Sequence, residues 1–114
     1  MPYRVRIKQK FSAAHYLRNY KGKCEELHGH NYVIEVWIGS EKLNKSGLVY
    51  DFSKLKKEIA KILPDHKLLN DVFSFNPTSE NLAKYFYNRI KKMKYSVTKV
   101  AVWENEDSIA EYEE

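Results

Sequence analysis

Two long runs of alternating residues constrain what this 114-residue chain can fold into more than any other feature. From Tyr3 to Phe11, Tyr3, Val5, Ile7 and Phe11 fall on one face, and Arg4, Arg6, Lys8 and Lys10 on the other. Successive side chains of a strand point to opposite sides, so this period marks a half-buried strand. The alternation resumes at His28. His28, His30, Tyr32, Ile34, Val36 and Ile38 share one face, and Asn31, Val33, Glu35 and Trp37 the other. Asn19 to Lys23 reads as a polar loop between the two strands, and Gly39-Ser40 with the polar run to Gly47 closes the second.

The period then changes. Phe52, Leu55, Ile59, Ile62 and Leu63 recur at helical spacing, with Asp51 or Ser53 able to cap the start and Pro64 ending the helix. A second helix follows Pro77, with Thr78 as its N-cap and Leu82, Ala83, Phe86, Ile90 and Met93 as its apolar face. Glu80 in its first turn and Lys91, Lys92 and Lys94 at its end suit the helix dipole. Val97 to Trp103 reads as a third strand. Ile109 to Tyr112 forms a fourth, after the polar turn Asn105-Glu106-Asp107-Ser108. The order is β-β-α-α-β-β, an α+β domain over residues 1–114. Strands with one apolar and one charged face predict a four-stranded antiparallel sheet with both helices on one side.

The formal net charge is +5, with the lysines spread along the chain rather than striped, which fits a solvated surface. Only Arg4, Arg6, Lys8 and Lys10 make a basic strand face, and an outer sheet surface accounts for them. No aromatic-basic interleaving of an RNA-binding strand is present, so no nucleic-acid partner is expected. A single cysteine, Cys24, excludes an intrachain disulfide. No apolar run reaches the length of a membrane span, and MPYRVRIKQKF lacks a signal-peptide core. A cytoplasmic location is expected, with no membrane partner.

His28 and His30, two apart on a strand, project to the same side. His15 continues the face of Phe11 if the first strand runs on, and pairing of the first two strands brings it beside them. Three imidazoles on one face match a catalytic zinc site with an open fourth position. Gly29 between them fits a backbone that must pack closely or bend. Spacing leaves open whether Cys24 is a fourth ligand or a catalytic thiol.

The stretch Cys24-Glu25-Glu26-Leu27-His28-Gly29-His30-Asn31-Tyr32 resembles the signature of the 6-pyruvoyl-tetrahydropterin synthase superfamily. Its C-x3-H-G-H spacing most resembles the 6-carboxy-tetrahydropterin synthase branch, which works early in making 7-deazapurine nucleosides of tRNA. Four further blocks follow in order: Phe11-Ser12-Ala13-Ala14-His15, Leu48-Val49-Tyr50-Asp51-Phe52, Asp65-His66-Lys67-Leu68-Leu69-Asn70 and Asn76-Pro77-Thr78-Ser79-Glu80-Asn81. The resemblance covers nearly the whole chain.

The resemblance implies that His15, His28 and His30 hold zinc, which polarises the side-chain oxygens of 7,8-dihydroneopterin triphosphate. It makes Cys24 the general base, as a thiolate, with Asp65 and His66 as its proton relay. It assigns Glu104 to the pterin's amino-pyrimidine edge and to the relay, and sets Thr78 and Ser79 near the pterin. It implies the tunnelling fold (T-fold), with trimeric barrels stacked in pairs as homohexamers and sites formed between subunits. The implied product is 6-carboxy-5,6,7,8-tetrahydropterin, released with acetaldehyde and triphosphate. Three alternatives stay open: formation of 6-pyruvoyl-tetrahydropterin, formation of 6-hydroxymethyl-dihydropterin for folate, and a non-catalytic zinc-bearing RNA-binding module. Glu25 bears on the second of these, because relatives with that activity resemble E-x-x-H-G-H.

Overall fold

A computed structural model describes residues 1–22 and 25–114. Strand β1 (Tyr3–His15) runs on past Phe11 to His15 and pairs antiparallel with β2 (His28–Ser40), from Tyr3 opposite Ser40 to His15 opposite His28. The apolar residues of both strands therefore share one face. Phe11 and Tyr32 sit directly across from each other, with their rings stacked 5.0 Å apart. Such cross-strand aromatic pairs stabilise a sheet.

Helix α1 (Phe52–Ala60) starts at Asp51, whose carboxylate accepts from the backbone N–H groups of Ser53 and Lys54. Asp51, not Ser53, is the cap. The helix ends at Ala60 and not at Leu63. Leu63 precedes a proline and is held out of the helical region. The final turn tightens instead to three-residue bonds, from Ile62 N–H to Ile59 and from Leu63 N–H to Ala60. Strand β3 (Lys67–Leu68) and the one-turn helix α2 (Leu69–Val72) follow. Helix α3 (Ser79–Lys92) is capped by Thr78, whose hydroxyl accepts from the Asn81 N–H. Strands β4 (Val97–Asn105) and β5 (Ser108–Glu113) complete the chain.

The sheet order is β3-β1-β2-β4-β5. The four expected strands form an antiparallel sheet, and β3 adds a two-residue parallel strand at the β1 edge. Leu55 and Ile59 of α1, and Leu82, Phe86 and Ile90 of α3, are buried in one core with Ile7, Phe11, Ile34, Val36, Val100 and Val102 of the sheet. Apolar burial on this face is the main stabilising term. The opposite, helix-free face carries Arg6, Lys8, Trp37, Lys99 and Trp103, with cations stacked over both indoles. Glu35 on that face is buried, contrary to its polar place in the strand pattern. It accepts from Trp103 Nε1–H at 2.5 Å and lies 3.5 Å from Arg6 Nε.

Candidate metal centre and active site

The core face of the β1–β2 hairpin changes character at one end. Ile7, Phe11, Ala13 and His15 follow one another on β1, and Ile34, Tyr32, His30 and His28 on β2. The three imidazoles converge there, with ring centroids 4.6 Å (His15–His28), 4.8 Å (His28–His30) and 5.1 Å (His15–His30) apart. The structure thus brings together the three histidines singled out by strand parity.

Glu104 joins them from β4. Pairing of β4 with β5 shifts register between Trp103 and Asn105, so Glu104 sits at a bulge. Bulges re-aim side chains. Here the carboxylate reaches Ser79 Oγ–H, which donates to Oε2 at 3.1 Å, while Oε1 lies 2.9 Å from His30 Nε2. One ligand atom from each of His15, His28, His30 and Glu104 lies within 4.8 Å of all the others.

The hydrogen bonds around the rings settle their tautomers. His15 Nδ1 lies 2.8 Å from the Pro77 carbonyl and His28 Nδ1 2.7 Å from the Glu26 carbonyl. A carbonyl can only accept, so each of these two Nδ1 atoms carries a proton, which leaves Nε2 as the atom able to bind a metal. Those two Nε2 atoms face one another at 3.0 Å. His30 Nε2 is buried, and its approach to Glu104 is off the direction of a hydrogen bond, leaving it without a hydrogen-bond partner. Burial lowers the pKa of both His15 and His30, against the opposing pull of the Pro77 carbonyl on the first and of Glu104 on the second. Converging imidazoles, two of them with outer hydrogen bonds to carbonyls, suit a divalent metal. Three imidazole nitrogens and one carboxylate oxygen are a donor set of the kind that holds a metal ion.

Asp65 and His66 form the expected pair, with His66 Nδ1 2.9 Å from Asp65 Oδ2. They sit at the sheet edge, where Asp65 Oδ1 accepts from the Ser12 N–H and the His66 N–H donates to the Ser12 carbonyl at 2.6 Å. Those bonds, the Ser12 N–H first and His66 second, lower the Asp65 pKa. The pair stays outside the four-residue cluster, but His66 lines a cavity of about 530 Å3 together with His30.

Thr78 spends its hydroxyl on capping α3, and Ser79 is buried against Glu104. Glu25 is exposed, with its N–H bonded to the Gly22 carbonyl. Cys24 lies outside the described residues. The close packing expected at Gly29 is absent, since an added Cβ would meet only the Ala13 carbonyl at an ordinary 3.5 Å. Gly29 instead lines the cavities beside His30, where a side chain would occupy space. Sequence reasoning missed Tyr32, whose hydroxyl lies 3.2 Å from His15 Nδ1 and whose pKa is pushed up by burial. Its place on the histidine face of β2 was the available signal. The Pro77 and Glu26 carbonyls had none.

The family model for 6-pyruvoyl tetrahydropterin synthase matches residues 4–114. An Aquifex aeolicus protein named 6-carboxy-5,6,7,8-tetrahydropterin synthase is 34% identical, over 81% of this chain and 76% of its own. A Pyrococcus furiosus protein named dihydroneopterin monophosphate aldolase is 35% identical, over 99% of both chains. The solved structure of Caenorhabditis elegans 6-pyruvoyl tetrahydropterin synthase superposes with a TM-score of 0.87 at 34% identity, covering 98% of this chain and 95% of that one. The α+β architecture is the tunnelling fold.

Proposed function

Because the chain belongs to the 6-pyruvoyl tetrahydropterin synthase family, we propose that it is a zinc-dependent lyase converting 7,8-dihydroneopterin triphosphate to 6-carboxy-5,6,7,8-tetrahydropterin, acetaldehyde and triphosphate. The pathway would be that of the 7-deazapurine nucleosides queuosine and archaeosine of tRNA, in the cytoplasm. One observation carries the metal-dependent part of this reading: three imidazoles and a carboxylate converge at ligand spacing, and one buried ring nitrogen has no hydrogen-bond partner.

Zinc held by His15, His28 and His30 supplies Lewis-acid polarisation of the substrate's side-chain oxygens. The chain's own residues do the rest. Glu104, held by Ser79, offers two carboxylate oxygens to the planar N–H pair of the pterin edge. Cys24, as thiolate, removes the side-chain proton. Asp65 holds the His66 ring in one orientation so that the imidazole can pass that proton on. In a single chain Asp65 and His66 stand apart from the metal cluster. That separation supports a site completed by a neighbouring copy, in a hexamer built as a dimer of trimers.

A second reading is favoured by the full-length likeness to the Pyrococcus furiosus aldolase and by Glu25 next to Cys24. In it Glu25 is the base and 6-hydroxymethyl-dihydropterin the product. Incubating zinc-loaded protein with dihydroneopterin triphosphate and weighing the pterin separates the outcomes. Carboxy-pterin with acetaldehyde supports the main reading, and a pyruvoyl product replaces it. No turnover, with RNA retained, favours the binding module. Hydroxymethyl product that survives Cys24→Ala and vanishes in Glu25→Ala establishes the second reading.

A further inference from the structure

A cavity of about 650 Å3 on the helix-free face adjoins the cluster, and its two ends carry opposite charge. At one end are His30 and Glu104, with exposed Glu106 at the rim. At the other are Lys8 and Lys10 of β1, with Val33 and Trp103 between. Lys8 Nζ lies 4.8 Å over the Trp103 ring, a cation–π contact that holds the ammonium without neutralising it. Trp103 is itself fixed by its bond to buried Glu35.

Glu35 stands directly opposite Lys8 in the strand register but is committed to Trp103 and Arg6. Among the described residues, no carboxylate lies within 4.0 Å of either Lys8 or Lys10. Two uncompensated cations, two residues apart on one strand face, repel each other. A polyanion laid between them relieves that repulsion and gains charge-assisted hydrogen bonds. We propose that Lys8 and Lys10, walled by Trp103, form the subsite for the polyphosphate chain of the substrate whose pterin end is held at Glu104. The inference rests on the reading of the chain as a pterin triphosphate lyase, and it singles out two of its twenty lysines and arginines.

The probe is inorganic tripolyphosphate, titrated calorimetrically into zinc-loaded wild type, Lys8→Gln, Lys10→Gln and the double variant. Lys42→Gln, in the loop after β2, is the control. Binding should weaken about fivefold for each lysine and about twentyfold for both, the size expected of partly exposed charge-assisted contacts. The control should be unchanged and K8R/K10R should restore binding. Undiminished binding in the double variant, or an equal loss in the control, overturns the subsite. Steady-state kinetics separate this from the functional reading. If wild type turns over dihydroneopterin triphosphate and the double variant shows the same KM, the subsite fails and the lyase stands. If wild type shows no turnover while tripolyphosphate binding still depends on both lysines, the lyase fails and the anion site stands.

Discussion

Ser79→Ala removes a single oxygen that ties helix α3 to the bulge of β4. The hydroxyl is buried and donates to Glu104 Oε2 at 3.1 Å. A hydrogen bond to a charged group contributes about 1.5–3 kcal/mol. The Glu104 side chain keeps 27% of its surface exposed, so water replaces part of the loss, and about 1.5 kcal/mol is the relevant figure. Ser79 is the first residue of α3, where alanine is favoured over serine by roughly 0.5 kcal/mol. The difference, about 1 kcal/mol, lowers Tm by about 4 °C for a chain of this length. Loss of the anchor also loosens the carboxylate proposed to grip the pterin, so KM should rise about fivefold, a cost of about 1 kcal/mol. Zinc stoichiometry should not change, since all three imidazoles remain and His15 and His28 keep their carbonyl partners. Thermal melting, metal analysis and steady-state kinetics on the same preparation check all three. An unchanged Tm with an unchanged KM would refute the anchor and leave Ser79 as helix packing alone.

His15→Ala should abolish stoichiometric zinc and, because the ring is fully buried, also destabilise the metal-free protein by about 2 kcal/mol, read from urea unfolding. Asn70→Ala should cost about 2 kcal/mol in the same assay. Its side chain makes two 2.9 Å bonds to the Tyr16 backbone, standing in for a strand partner just past β1. The Asp65 pKa is lowered in the folded state, so its contribution to stability is complete above the ordinary aspartate value of about 3.9 and fades as pH falls through the folded-state value. In carboxyl NMR titrations His66→Ala should raise that pKa part of the way, with the Ser12 N–H holding the remainder. A titration identical to wild type would rule out the pairing.

What could be read from the sequence was whatever left a side-chain period. The two long strands, both main helices and the shared face of His15, His28 and His30 all did so. Strand β3 did not, because two residues paired through the backbone show no alternation. The conformation that allows that pairing is equally silent. His66 adopts a left-handed φ of 57°, which turns its N–H to the Ser12 carbonyl. Asp65 and His66 were visible as neighbours, but their separation from the metal cluster is a tertiary fact. The burial of Glu35 was silent for a related reason. Strand parity gave its face correctly, whereas its burial depends on Trp103 arriving from another strand.

The three histidines continue the same rows that form the core, and this couples the metal centre to the fold in one direction. A slip of β1 by one residue against β2 would turn Phe11 and His15 to the face opposite Tyr32, His28 and His30, breaking the core row and the imidazole cluster in one step. The register is therefore held by the buried row, and the proposed metal site inherits it. Removing the metal proposed for this site should leave the pairing intact except at its end, where His15 Nε2 and His28 Nε2 converge at 3.0 Å. In hydrogen exchange, chelation should lower protection around the His15–His28 pair and leave Ile7 and Val36, opposite one another inside the core, unchanged. Loss of protection at Ile7 and Val36 on chelation would mean that the metal, and not the buried row, sets the register.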